Sequence, residues 1–196
     1  MKNDDKRAIA RELRNHALIL GGFITCIWLL EFVDLFIFRN TLNLYGIRPR
    51  TISGLWGILF APFLHGGFGH LMANTIPFLV LGWFVMLREI SDFFLVSLIT
   101  MLASGLGVWL FGSANSIHIG ASGVIFGYFG FLLSRGYFER SAVGIAFSLL
   151  VGTLYGSLIW GVLPIRNGIS WEGHLFGFLG GVLAARLLAR RKQPMQ

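Results

Sequence analysis

Charge is scarce in this chain of 196 residues. Only 13% of positions are Asp, Glu, Lys or Arg, about half the share usual in soluble domains. With 55% hydrophobic residues and a mean hydropathy of +0.72, this excludes an ordinary water-soluble domain. Cysteine is almost absent: Cys26 stands alone, so an internal disulfide and a cysteine-based metal site are both excluded. There is no low-complexity segment, no internal repeat and no interdomain linker, and one domain suffices for the length. The net charge of +7 does not indicate a nucleic-acid partner, because the basic residues sit at the chain ends and in short loops. The basic N-terminus precedes an apolar run that is long and lacks a small-residue cleavage site. It therefore reads as a retained first span rather than a signal peptide.

What the sequence does have is apolar runs. They predict an all-α, polytopic membrane protein with six spans: Ala17–Phe38, His70–Leu87, Phe93–Phe111, Ile119–Leu133, Ala142–Leu163 and His174–Leu188. A basic segment (1–16) precedes the six-span domain (17–188), and a basic, mobile tail (189–196) follows it. The fourth and sixth cores hold about 15 residues each, where a full crossing needs about 20. They are expected to begin or end inside the membrane, fed by loops that line a cavity. The stretch from Asn40 to Gly69 is a long first loop, and its apolar Leu55–Leu64 is too short to span, so it is expected to lie partly in the membrane.

Lys and Arg set the orientation. Lys2, Lys6, Arg7, Arg11, Arg14, Arg88, Arg135, Arg140, Arg186, Arg190, Arg191 and Lys192 fall on one side. Only Arg39, Arg48, Arg50 and Arg166 fall on the other. By the positive-inside rule both termini are cytoplasmic.

Against this apolar background a few polar residues stand out, because such groups inside a membrane are costly unless satisfied or functional. Ser122 lies in Gly120-Ala121-Ser122-Gly123, and His174 lies in Gly173-His174-Leu175-Phe176-Gly177. For Ser122 one reading is tight helix packing, since Gly and Ser are common at membrane helix contacts. The other is a nucleophile. His174 either caps a helix or acts as a general base. Gly123 and Gly127 on one span, and Gly173, Gly177 and Gly181 on another, are spaced i, i+4. If these faces pack together, serine meets histidine, so packing and catalysis support each other. No acidic residue is an evident third member, since Glu172 is expected to point to loop or water. The reading is therefore a dyad.

His70 and Asn74 are spaced i, i+4 on one face of the second span. They either hydrogen-bond between helices or serve as donors to an oxyanion, with the Ser122 backbone N–H as a further donor. Metal binding by His65, His70 and His174 lacks a carboxylate or cysteine to complete it, and no cofactor is called for. His65 is expected to hold the first loop, His118 to have no catalytic part, and Glu31 and Asp34 to face loop or water. Pro77 frees the Ala73 carbonyl by removing its N–H partner.

Together these residues resemble the rhomboid intramembrane serine proteases in their compact six-span bacterial form. Four elements carry the resemblance over about Gly46 to Gly181: Arg48-Pro49-Arg50, His65 through Asn74, the Gly-Ala-Ser-Gly at 120–123, and Gly173-His174 with its glycine face. The resemblance implies a Ser122–His174 dyad, with Ser122 as nucleophile and His174 as general base and acid. It also implies an oxyanion hole of His70, Asn74 and the Ser122 N–H, supported by Gly120, Gly123 and His65. Phe126, four residues after Ser122 and tyrosine in some relatives, is expected to stack on the histidine. The implied substrates are single-span membrane proteins, cut in or beside the membrane and entering past the fifth span. The implied location is a bacterial inner membrane, with the site opening outward and the lipid bilayer as surroundings. The alternative is an inactive relative that binds membrane helices. Neither the substrate nor the oligomeric state is legible.

Overall fold

The computed structural model describes residues 3–164 and 168–191. Among these the architecture is helical. Helix α1 (Asn3–Val33) continues through a π-helical turn (Asp34–Phe38) and is stopped by two residues in the left-handed region, Arg39 and Asn40. A short α2 (Ile52–Phe60) follows in the first loop, extended by a 3-10 turn (Ala61–Phe63). Then come α3 (Phe68–Met86), α4 (Ile90–Phe111), α5 (Ser122–Glu139), α6 (Ala142–Tyr155) with a 3-10 extension (Gly156–Val162), and α7 (Trp171–Arg191).

Four of these segments are long and apolar enough to cross a membrane: Asp5–Phe38, Phe68–Met86, Ile90–Phe111 and Ala142–Val162. That makes the chain a multi-pass membrane protein. The fourth and sixth expected spans correspond to α5 and α7. Both are helical and long enough, but neither is apolar enough to count among those four. Both are also longer than expected: at about 1.5 Å per residue, the 18 residues of α5 rise about 27 Å and the 21 of α7 about 31 Å. Their ends carry Arg135, Glu139 and Arg186, which interrupt the apolar runs without ending the helices. The basic N-terminal segment is likewise helical from Asn3 onward. Lys192–Gln196 of the expected tail, Arg166, and the first two residues lie outside the described residues.

Helices α5 and α7 form the centre and share the most extensive contact in the protein. Glycine makes that contact possible. A Cβ at Gly177 would strike the carbonyl of Gly123, one at Gly181 that of Gly127, and one at Gly130 that of Phe178. Close backbone approach of this kind replaces the hydrophobic drive that lipid surroundings remove. Around the pair, Leu20, Phe78, Leu81, Phe93, Tyr128, Phe129 and Ala184 form a buried apolar core. Tyr128 and Ser97 satisfy one another inside it at 2.6 Å. Outward-facing Leu18, Leu29, Phe32, Leu149 and Leu154 remain exposed, as a lipid-facing surface requires.

The first loop is tied down by backbone bonds. Ile47 and His118 form an isolated antiparallel bridge, Gly120 N–H donates to Ala61 O at 2.8 Å, and Arg50 N–H donates to Trp109 O. Arg50 also donates through its guanidinium to Leu110 O. At the other end of the bundle Glu139 accepts from both Arg88 and Arg135. The turn after α3 and the C-terminal end of α5, both expected on one side of the membrane by charge, therefore meet there.

Of the two surroundings expected for Glu31 and Asp34, loop or water, the structure shows the loop; each is 2% exposed. Each carboxylate accepts a backbone N–H from the loop side, Glu31 from Gly67 at 2.7 Å and Asp34 from Leu42 at 2.9 Å. Those acceptors are needed because loop backbone packed against helices cannot be left unpaired.

Candidate functional site

Ser122 is the first residue of α5, where backbone N–H groups have no acceptor within the helix. His174 lies in the first turn of α7. The glycine contact between the two helices brings these ends together, and His174 Nε2 lies 2.8 Å from Ser122 Oγ. The other ring nitrogen, Nδ1, lies 2.9 Å from the carbonyl oxygen of Gly161. A carbonyl only accepts, so Nδ1 carries the proton and Nε2 is left to accept from the serine hydroxyl. Phe126, one turn beyond Ser122, stacks on the imidazole with centroids 4.0 Å apart and planes 6° from parallel. The ring is thus held from both edges and one face. Glu172 is not the third partner. It is buried rather than turned to water, and its carboxylate is 3.5 Å from Ser170 Oγ.

His70 and Asn74 stand across the cavity on α3. Asn74 Nδ2 donates to His70 O at 3.0 Å, which uses one of its two N–H bonds and leaves the second for another acceptor. Gly66 N–H donates to His70 Nδ1 at 3.4 Å, so the His70 proton belongs on Nε2. That nitrogen faces Gly120, where an added Cβ would lie 2.7 Å from it. Gly120 has φ +113°, a conformation that favours glycine. The backbone can therefore turn into α5 here only with this residue, and only without a side chain against His70.

The resulting cavity has a volume of about 870 Å³. His70, Asn74, Ser122, Phe126, Trp160 and His174 are on its wall, as are Ala73 and Pro77 of α3.

His65 is fully buried and packs edge to face on His70, with centroids 5.0 Å apart. Neither of its ring nitrogens has a hydrogen-bond partner among the described residues. Burial, and secondarily the adjacent His70, push its imidazole down to about 4. It is therefore a neutral wedge between the first loop and α3. His118 also lies at the cavity and is paired with Ser116 Oγ at 2.7 Å. Burial holds it below the usual histidine range. Gly123, on the far side of Ser122, packs against Ser104, whose hydroxyl donates to Gly173 O at 2.8 Å.

Sequence reasoning singled out Ser122, His174, His70, Asn74 and Phe126, and the structure brings all five to one cavity. It missed Gly161, whose contribution is a backbone carbonyl with no side-chain signature.

Comparison with known proteins points to one family. Residues 53–191 match the profile of the Rhomboid domain. An uncharacterized Mycobacterium tuberculosis protein, Rv1337, is 43% identical across 87% of this chain and 76% of its own length. The Bacillus subtilis protein YdcA, described as a candidate rhomboid protease, is 31% identical across 80% of this chain and 78% of its own. RHOMBOID-like protein 5 of Arabidopsis thaliana is 33% identical across 72% of this chain and 46% of its own.

Proposed function

The chain belongs to the rhomboid family, and on that premise we propose that it is an intramembrane serine endopeptidase working through a Ser122–His174 dyad. The observation that carries the proposal is the 2.8 Å contact between Ser122 Oγ and His174 Nε2, with the imidazole oriented by Gly161 and Phe126.

The steps follow from the geometry. His174 Nε2 takes the Ser122 hydroxyl proton as Oγ attacks the peptide carbonyl carbon. The carbonyl π electrons move to its oxygen, which becomes the oxyanion. His70 Nε2–H, the second Asn74 N–H and the Ser122 backbone N–H are the donors arranged for it. One such donor is commonly worth about 10²–10³ in rate. The imidazolium then gives its proton to the leaving amine as the C–N bond breaks. Water, deprotonated by the same nitrogen, hydrolyses the acyl-enzyme. The Gly161 carbonyl takes the place that a carboxylate fills in a triad. As a neutral acceptor it fixes the tautomer but stabilises the imidazolium less than an anion would.

In this reading all six long helical segments cross the bilayer, α5 and α7 among them, with both termini cytoplasmic and the cavity opening to the outer side. Single-span membrane proteins are the substrates. Their peptide bonds must unwind to reach Ser122, and a polar cavity re-satisfies the freed backbone groups. Substrates with glycine or other helix breakers near the cut are therefore preferred, and replacing those residues by leucine should slow cleavage. Equal rates for the two substrates would refute this preference. Labelling with a serine-directed fluorophosphonate tests the nucleophile. Modification of the wild type that disappears in Ser122→Ala is expected, whereas labelling that survives the substitution would contradict the assignment.

A further inference from the structure

Glu31 is a carboxylate 2% exposed near the outer end of α1, where an unsatisfied charge would be costly. Its Oε1 accepts from Gly67 N–H at 2.7 Å. Gly67, at φ +106°, is the residue on which α3 starts. The preceding residue, Gly66, donates its own N–H to His70 Nδ1. The two consecutive amides of the Gly66-Gly67 turn are thus divided between Glu31 and His70. One turn earlier on α1, Trp28 stacks on Phe68 with centroids 6.0 Å apart and donates through Nε1 to Thr75 Oγ1 at 3.1 Å. Helix α1 therefore holds α3 at both ends of the segment carrying His70 and Asn74, and Glu31 supplies the grip nearest the imidazole.

We infer that Glu31 is a positioning residue of the hydrolytic site: by holding the Gly67 N–H it fixes the turn whose Gly66 N–H binds His70 Nδ1, and so directs His70 Nε2–H toward the oxyanion. The inference rests on the serine-protease reading above. It goes beyond that reading by giving the first helix, remote from the dyad, a defined part in catalysis. Glu31 touches neither substrate nor the dyad. What it controls is the pose and tautomer of a donor. A misplacement on the order of 1 Å in such a group is enough to cost about 10²-fold in rate.

The test compares Glu31→Gln, Glu31→Asp and Glu31→Leu in the full chain reconstituted in lipid, reading three quantities. These are kcat and KM on a single-span substrate, the thermal midpoint, and the 15N resonances of His70 and His174 in histidine-labelled protein. Gln keeps an oxygen acceptor at the same reach without the charge, Asp keeps the charge and loses the reach, and Leu loses both. The expected results are kcat within about threefold of wild type for Gln, and a loss of roughly 10- to 100-fold for Leu and Asp with KM nearly unchanged. The His70 15N signals should move in Leu and Asp while those of His174 stay fixed.

An unshifted His70 spectrum in Asp and Leu would overturn the inference. So would a Gln variant as impaired as Leu, or a kcat loss that merely tracks the thermal midpoint. If Leu does not fold, the Gln–Asp contrast decides alone. If the wild type neither cuts substrate nor takes up fluorophosphonate, the protease reading fails. The His70 spectra would then still decide whether Glu31 sets that ring.

Discussion

Around Ser122 and His174, two neighbours act through their backbone rather than a side chain. The Gly161 carbonyl fixes the His174 tautomer, and Gly120 gives the chain a turn that no other residue makes at equal cost. Substituting Gly120→Ala should therefore be severe, because it places a Cβ in a φ +113° conformation and against His70. We expect loss of cleavage together with a lowered thermal midpoint, by at least about 1 kcal/mol of stability, measured by thermal unfolding alongside kcat. Phe126→Leu removes the face-to-face stack on His174. Stacking is worth about 0.5–1.5 kcal/mol, so kcat should fall by up to about tenfold with the fold intact.

His65 offers a pH test. Its folded-state imidazole is held near 4, below its unfolded value, so between about 6.5 and 4 the unfolded chain binds the extra proton. Stability is then fully present above the unfolded value and is lost as pH falls through that window. The wild type should lose thermal stability over this range more steeply than His65→Gln. Parallel pH profiles would show that His65 is not the group responsible. At this scale residue type and spacing made Ser122, His174, His70 and Asn74 legible. For Glu31 the sequence leaves loop and water both open, because its partner is an amide 36 residues away.

At the scale of elements, the i, i+4 glycines predicted a close helix pair, and α5 and α7 are that pair. A side chain at Gly181 would be driven into the Gly127 carbonyl. Gly181→Val should therefore separate the helices, pull His174 from Ser122 and abolish both folding cooperativity and cleavage. Gly156→Ala, where no atom lies within 4 Å of the added Cβ, serves as the matched control with little effect on folding. The lengths of α5 and α7 were less legible. Hydropathy counts apolar residues, whereas buried central helices tolerate Arg135, Glu139 and small residues. Their span character therefore fades in sequence even though their helices persist. The apolar helix of the first loop is too short to span, as expected, but most of the loop's anchoring, to Trp109, His118 and Gly120, is made by backbone groups and left no trace in residue types.

For the whole molecule, the charge asymmetry and the joining of Arg88, Arg135 and Glu139 at the end opposite Ser122 support one orientation. In a Cys26→Ser background, Asn115→Cys should react with an impermeant maleimide from outside intact cells. Arg140→Cys should react only after permeabilisation. The reverse pattern would invert the topology and place the cavity on the cytoplasmic side.

The central claim is that Ser122 and His174 together cut a peptide bond within the membrane. The most direct measurement is cleavage of a helix-destabilised single-span reporter in proteoliposomes by wild type, Ser122→Ala and His174→Ala. The account predicts cleavage by the wild type and a loss of at least about 10³-fold in each variant. Folded wild type that leaves every such reporter intact, or variants that cut as fast as wild type, would contradict it and turn attention to binding of membrane helices without hydrolysis.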